Sequence, residues 1–385
     1  MMTQNSMRLW RSREYGVSAI FIVLFSTMLF SLITVSFTAL MVREQGRSFD
    51  DEQSRGAYDA ALVGIEDGKR VLDTCLQGAS TSTACTAIQA GQCNTIARAI
   101  DGASATTAER IVRTDTSMTA NQSLNMAYTC VIINPSTPDY LAELPEHDSS
   151  VVVSLKPAST ESFSKIRVSW FTEANSATVS GLSTTRELIA LGDWASQKPP
   201  MLRAQLFQHR LNESVNIGTF DANDYAATQY LYPTTLTDSI SFGDDVRRSG
   251  DIDLVSATCN TTFTLGYACT ADIDVPPVPS GGALNQRVAY LRLTSIYKGA
   301  NVRVQMLNAS DVVVNFDNVQ PSIDSTGRAN DLFRRVESRV EFADDSFPFP
   351  RATVDITGNF CKVVSLTNNA AGYDSRLGIC NPVSP

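Results

Sequence analysis

The chain has 385 residues, a formal net charge of −9 and 18% charged side chains, so it can bury a sizeable core in one large or two medium domains. Three arginines and one glutamate place +2 on the first sixteen residues, which leaves −11 on the remainder. An acidic body argues against nonspecific binding to nucleic acid or anionic lipid, and a complement of two histidines leaves little room for imidazole chemistry.

Residues 1–16 read as a short basic leader. Residues 17–42 follow without a charged or proline side chain, and this stretch of 26 residues is long enough for a helix to cross a ~30 Å hydrocarbon core. The apolar run exceeds the ~7–15 residues of a signal peptide, and no small-x-small cleavage site follows it, so a retained transmembrane helix is expected. The arginines before it predict a cytoplasmic N-terminus and an exported C-terminal region. Within the helix Thr27, Ser31, Thr34 and Thr38 fall in one stripe, at which a second helix could pack. The alternative is that each hydroxyl bonds the carbonyl one turn back.

Residues 43–77 continue as an amphipathic helix. Tyr58, Leu62, Ile65, Leu72 and Leu76 make a large apolar stripe at helical spacing, expected to pack on the sheet of its own domain. Beside it runs a stripe of small residues, Ala57, Ala60, Ala61, Gly64 and Gly68. Asp59, Glu66, Arg70 and Asp73 occupy the far side. Gly46 and Gly56 each weaken the helix by ~1 kcal/mol relative to alanine, which predicts a bend or local melting between membrane and domain.

The leader ending in Gly16, the apolar helix opening Val17-Ser18-Ala19-Ile20-Phe21, and the Ala-rich stretch from Gln53 to Gly68 together resemble type IV pilin-like proteins, most closely PilX-type minor pilins. The resemblance spans about the first fifth of the chain. It implies cleavage by a prepilin peptidase between Gly16 and Val17. It also implies a helix that sits in the cytoplasmic membrane before assembly and in a filament at the cell surface afterwards. The implied partners are other pilin subunits and the inner-membrane assembly machinery. The sequence departs from the family at Phe21, where major pilins carry a glutamate thought to pair with a neighbour's N-terminal amine. That departure, with ~300 residues hanging on one helix, suggests a minor subunit near a filament tip.

Residues 78–385 read as an exported, disulfide-bearing, β-rich domain, so the expected fold class is α+β with a mostly antiparallel, pilin-like sheet. Strand patterns appear at 128–133, 151–153, 288–297, 301–307 and 311–316, and most strongly at 332–342, whose Arg335, Glu337, Arg339 and Glu341 predict a salt-bridged solvent face. A pattern of apolar, arginine, apolar, polar, apolar recurs at 166–170, 202–206 and 302–306, and Leu291-Arg292-Leu293-Thr294 begins the same way. We read these arginines as lying over a solvated sheet face. The run 276–282, rich in proline and glycine, suggests a lobe boundary, and 297–301 suggests a hairpin loop.

No nucleotide loop, dinucleotide fingerprint or zinc-peptidase motif occurs, and no cofactor is implied. Asp244-Asp245, Asp251/Asp253, Asp272/Asp274 and Asp344-Asp345 supply oxygen ligands of a kind that calcium takes, but solvated turns are the commoner use of such pairs. Eight cysteines without a C-x-x-C pair point to disulfides rather than zinc. Proximity favours Cys259–Cys269 and Cys361–Cys380, the latter resembling the C-terminal loop of many pilins. Cys75, Cys85, Cys93 and Cys130 are left without an assigned partner. The functional expectation is a noncatalytic minor subunit of a pilus-like filament, with an outer domain free to contact a surface ligand. A single-pass surface-binding protein that never polymerises is the alternative, and a tethered hydrolase using His147 or His209 is the third.

Overall fold

The computed structural model describes residues 15–341, apart from 79–80, 94, 97–99, 101–108, 114–124, 159–160, 215–224 and 243–253. One long apolar N-terminal helix precedes a mostly antiparallel β-rich body, an α+β arrangement. Helix α1 spans Tyr15–Gln77, 63 residues or roughly 95 Å of rise. It runs unbroken through Gly46 and Gly56, so the expected melting between membrane and domain does not occur. Gly56 is buried in a packing contact, where a Cβ would sit 3.4 Å from the Ala329 Cβ. Helix α2 (Thr83–Ala90) is capped by the Ser82 hydroxyl, which accepts from the Cys85 amide, and stops at Gly91 in the left-handed region.

Four strands form a small sheet in the order β1 (Arg110–Arg113), β2 (Met126–Thr137), β14 (Phe316–Ala329), β15 (Leu332–Arg339), all antiparallel. The C-terminal half of α1 lies on this sheet. Its contact surface is the small stripe: Ala57, Ala60 and Ala61 are wholly buried. They meet β14 where its own side chains are small. A Cβ on Gly327 would lie 2.1 Å from the Ala57 carbonyl oxygen and 2.3 Å from the Ala61 nitrogen. Ser325 and Ile323 occupy the next positions, against Gly64 and Gly68. The expectation for the large stripe therefore holds for only some of its members. Ile65 and Leu72 are buried with Tyr128, Val131 and Ile323, whereas Tyr58, Leu62 and Leu76 remain exposed. The reason is distance: the backbone-close approach brings the small residues to the sheet and turns those three away from it.

The remaining strands make an eleven-stranded sheet. They are β3 (Tyr140–Leu144), β4 (Ser150–Ser154), β5 (Lys165–Trp170), β6 (Met201–Arg210), β7 (Ala226–Thr234), β8 (Ile240–Ser241), β9 (Leu254–Thr264), β10 (Tyr267–Asp274), β11 (Arg287–Ile296), β12 (Ala300–Leu307) and β13 (Val313–Val314). The main path runs β13-β12-β5-β10-β9-β7-β6-β11-β4, with β3 also on β12 and β8 on β10. All pairs are antiparallel except β7 with β9 and β8 with β10. β11 and β12 lie far apart along this path, yet only residues 297–299 join them. Three residues reach ~10–14 Å, so the sheet must curl until its two ends approach. One core of Trp170, Phe171, Leu202, Leu291, Val302 and their neighbours fills the enclosed side. The Trp170 indole N–H donates to the Pro200 carbonyl at 2.9 Å across it.

This topology corrects both loop expectations. Residues 297–301 do not close a hairpin, because β11 and β12 do not pair; they carry the chain from one end of the curled sheet to the other. Residues 276–282 are not a lobe boundary, because they join β10 to β11 within one sheet. Gln208 and Arg287 donate to the carbonyls of Pro277 and Pro276 at 3.0 and 2.9 Å, pinning this loop to the sheet. The small and large sheets meet through Gln320, whose amide both accepts from the Leu141 N–H at 2.9 Å and donates to the Leu141 carbonyl at 2.7 Å.

Glycine substitutions at positions 327 and 46 separate the close contact from helix propensity. Gly327→Ala forces a methyl against helix backbone and is expected to lower stability by about 1–3 kcal/mol or more. Gly46→Ala meets open space and is expected to be neutral or to stabilise by up to about 1 kcal/mol. Urea unfolding of the purified chain in detergent, followed by fluorescence, checks both; an equal response at the two positions would contradict the packing account.

Candidate functional site

Among the described residues, the one extended surface unlike that of a water-soluble domain is on α1. Every large apolar side chain from Ile20 to Val42 is exposed. This segment alone among the described helices is long and apolar enough to span a membrane. Burying each such side chain is worth ~1.5–3 kcal/mol, so the segment requires lipid or another apolar surface. Gly16 and Val17 lie in the first turn of α1, and the leader before Tyr15 falls outside the described residues. The hydroxyl stripe is turned onto the helix itself: Thr27, Ser31, Thr34 and Thr38 donate to the carbonyls of Leu24, Thr27, Phe30 and Thr34 at 2.7–2.9 Å. These bonds satisfy the hydroxyls within the helix itself and leave the stripe narrow, so close helix packing remains geometrically open.

Beyond the charged turn of residues 43–55 the helix exposes apolar groups again. Tyr58 is 48% and Leu62 38% exposed, on the side away from the small sheet. Opposite them a carboxylate is buried at the interface. Asp67 is 3% exposed, accepts from the Tyr128 hydroxyl at 3.0 Å and pairs with the Arg110 guanidinium. Sequence reasoning did not single out Asp67, whose neighbours Glu66 and Arg70 are charged groups at the surface. Its only signal was a charged residue inside the small stripe, on the face that the glycines and alanines commit to packing.

The described disulfides fasten this region. Cys75 at the end of α1 pairs with Cys85 of α2, and Cys93 pairs with Cys130 of β2. Four cysteines allow three connectivities, and only the folded path selects one. Cys259 and Cys269 pair across the β9–β10 hairpin, where the two residues are directly opposite. Cys361 and Cys380 lie outside the described residues.

Other sequence candidates do not converge. His147 is exposed in the turn between β3 and β4. His209 lies on β6, and its Nδ1 is 3.0 Å from the Arg210 carbonyl oxygen. Asp272 and Asp274 belong to strand β10 rather than to a turn. Asp272 is engaged in a two-pronged pair with Arg167, both contacts at 2.7 Å. The other aspartate pairs lie outside the described residues. The expected salt-bridged face of β15 holds at Arg335, which is exposed and pairs with Asp324 of β14. Arg339 instead reaches Asp139 at 3.2 Å, and Glu341, just past the strand, accepts from the Tyr140 hydroxyl at 2.7 Å, so these last two charges bridge the small and large sheets.

No protein family, curated protein or solved structure matches this chain. The geometry of α1 and of the sheets therefore carries the functional reading.

Burial, and next the Asp67 charge, push the Tyr128 phenol well above its ordinary range. An unfolded chain loses this proton near pH 10 while the folded one keeps it, so stability falls as pH rises above about 10. Tyr128→Phe is expected to lower stability at neutral pH and to flatten some of that alkaline loss. Urea midpoints between pH 8 and 11 for both proteins check it; parallel pH curves would contradict it. A nonreducing peptide map should also return Cys75–Cys85, Cys93–Cys130 and Cys259–Cys269. Loss of the pair with separation 37 should cost more than loss of either pair with separation 10, about 4 against about 3 kcal/mol from chain entropy.

Proposed function

We propose that this chain is a minor pilin-like structural subunit of a type IV pilus-like filament. The observation that carries the reading is the division of α1: its N-terminal half is bare and apolar, while its C-terminal half is held backbone-close to a small antiparallel sheet. A membrane alone would account for Ile20 to Val42. It would not account for Tyr58 and Leu62, which stand some 16 residues, or ~24 Å, beyond Val42 on the same helix. A neighbouring helix of the same kind would cover them. The resemblance of the N-terminal stretch to PilX-type minor pilins supports the same reading and adds a processing step, cleavage by a prepilin peptidase after Gly16.

In this reading the mechanism is noncatalytic. The apolar half of α1 moves from lipid into a helical filament core, and assembly machinery elsewhere supplies the work. The rest of the chain is extracytoplasmic and is carried to the cell surface. Phe21, in place of an acidic residue, removes the need for a docking partner at that depth and suits a subunit that begins a filament. The Arg110–Asp67–Tyr128 cluster keeps the helix in one register on its own domain while the outer half changes environment.

N-terminal sequencing and quantitative mass spectrometry of membrane and sheared-filament fractions test the proposal. A mature N-terminus at Val17 and a low abundance relative to the main subunit are expected. An intact Met1 in cells with active peptidase, together with absence from sheared filaments, would favour a surface protein that never polymerises. Repetition along the shaft as the most abundant subunit would refute the tip assignment.

A further inference from the structure

We infer that the outer face of β4, β11, β6 and β7 carries an anion site, built on Arg203 and Arg292, that takes the carboxylate of an acidic sugar. Strand register places these arginines together. Arg203 lies opposite Thr294, and Arg292 opposite Gln205, in the antiparallel β6–β11 pair. Cross-strand partners share a face, and diagonal neighbours lie within reach of long side chains. The same register sets Tyr230 and Thr228 of β7 beside Arg203 and Gln205. Alternate residues Leu202, Ala204, Leu206, Leu291 and Leu293 fill the core, so the arginines occupy the opposite face.

These two guanidinium groups are adjacent in register, unlike Arg287, which donates to the Pro276 carbonyl, and Arg303, which lies over the Tyr267 ring. Arg167 is neutralised by Asp272, Lys165 by Asp311, and Arg339 by Asp139. Among the described residues, Arg203 donates only to the Thr294 hydroxyl at 3.3 Å, and Arg292 only to the Ser150 hydroxyl at 3.2 Å. Both are half-buried, and both have a buried Nε without a partner among those residues. Burial, and then the charge of Arg203, lower the Arg292 pKa, as expected for two like charges in one place with no carboxylate between them. Leaving such donors unsatisfied is unfavourable, and each guanidinium has several N–H groups still to offer. An incoming carboxylate would relieve the repulsion and accept from both, the geometry at which arginine excels. Further along the strands the same face carries Met201, Ile296 and Tyr232, packed with Trp194, which is stacked 3.9 Å from Tyr297 and has the Lys198 ammonium 4.0 Å from its ring.

The surroundings select the ligand. The half-buried Gln205 and the exposed Ser150 offer an amide and a hydroxyl suited to sugar hydroxyls, and the half-buried Tyr230 offers a ring, over the buried Thr228 and Thr294. A net −11 beyond the leader repels a long polyphosphate, which disfavours nucleic acid, but tolerates an isolated carboxylate. The site rests on the proposed role of the outer domain in surface contact. It is tested on solubilised protein, so failure to bind and failure to assemble are separate results.

The test is binding of fluorescent trigalacturonate to the full chain in detergent, with maltotriose and a short DNA duplex as comparators. Saturable binding that weakens with added salt is expected, with at least a tenfold loss in Arg203→Gln and in Arg292→Gln and no loss in Arg167→Gln. Arg203→Lys should lose less than Arg203→Gln, because it keeps the charge but not the fork. Should a glutamine variant fail to fold, competition on the unaltered chain replaces it: free glucuronate must displace the probe. Absence of binding, equal affinity for maltotriose, tighter binding of DNA, or no displacement by glucuronate would each overturn the assignment.

Discussion

The structure depends on how closely α1 approaches the small sheet. Side chains of ordinary size hold a helix about 10 Å from a sheet, but here the contact is made by Ala57, Ala61 and Gly64 on the helix and by Gly327 and Ser325 on β14. With no room for a Cβ on Gly327, backbone meets backbone. Each atom pair in such a contact gains only ~0.1–0.2 kcal/mol, so the stabilisation comes from the length of the matched surface and from its fit. The β2–β14 pairing shifts register next to Gly327, where a bulge lets the strand bend under the helix. This arrangement also decides which side of α1 is left bare, and so places Tyr58 and Leu62 where another molecule can reach them.

A close apolar contact does not by itself fix the position of a helix along a sheet. The buried Asp67 does. A carboxylate removed from water is unfavourable by several kcal/mol unless it is paired and hydrogen-bonded, and Arg110 and Tyr128 are placed to do both. A slip of α1 by one turn would strand the charge. The disulfides Cys75–Cys85 and Cys93–Cys130 then bind the far end of the helix, through α2, to β2. Between them α2 buries only small and medium side chains, Ala84, Ala87 and Ile88, against the helix and sheet, and the covalent closures add to that packing.

The larger sheet solves a different problem. Its edges approach through the short connection at 297–299, and a single core occupies the inside. The outer face is then free to carry polar side chains, and it does so unevenly. Arg167 meets Asp272 in register, whereas Arg203 and Arg292 meet hydroxyls. The same five-residue sequence pattern therefore has two electrostatic outcomes, set by what the adjacent strand presents.

Much of the frame was legible in the chain itself. The span 17–42 follows from composition, because 26 residues without a charged or proline side chain are long enough and apolar enough for a helix to cross a membrane. The α+β class, several strands and the Cys259–Cys269 pair follow from periodicity and from proximity, which are local properties. The sequence also showed a small and a large stripe on α1, and its periodicity pointed to the large one as the packing face, whereas the small one makes the close contact with the sheet. That choice rests on Gly327, some 270 residues away, which admits backbone and excludes leucine. The partners of Asp67, the pairing of the first four cysteines, the crossover at 297–299 and the arginines left without carboxylates on the sheet were decided by tertiary structure alone. Each depends on which distant strand lies next to which, and strand order is set by the path of the whole chain rather than by any window of it.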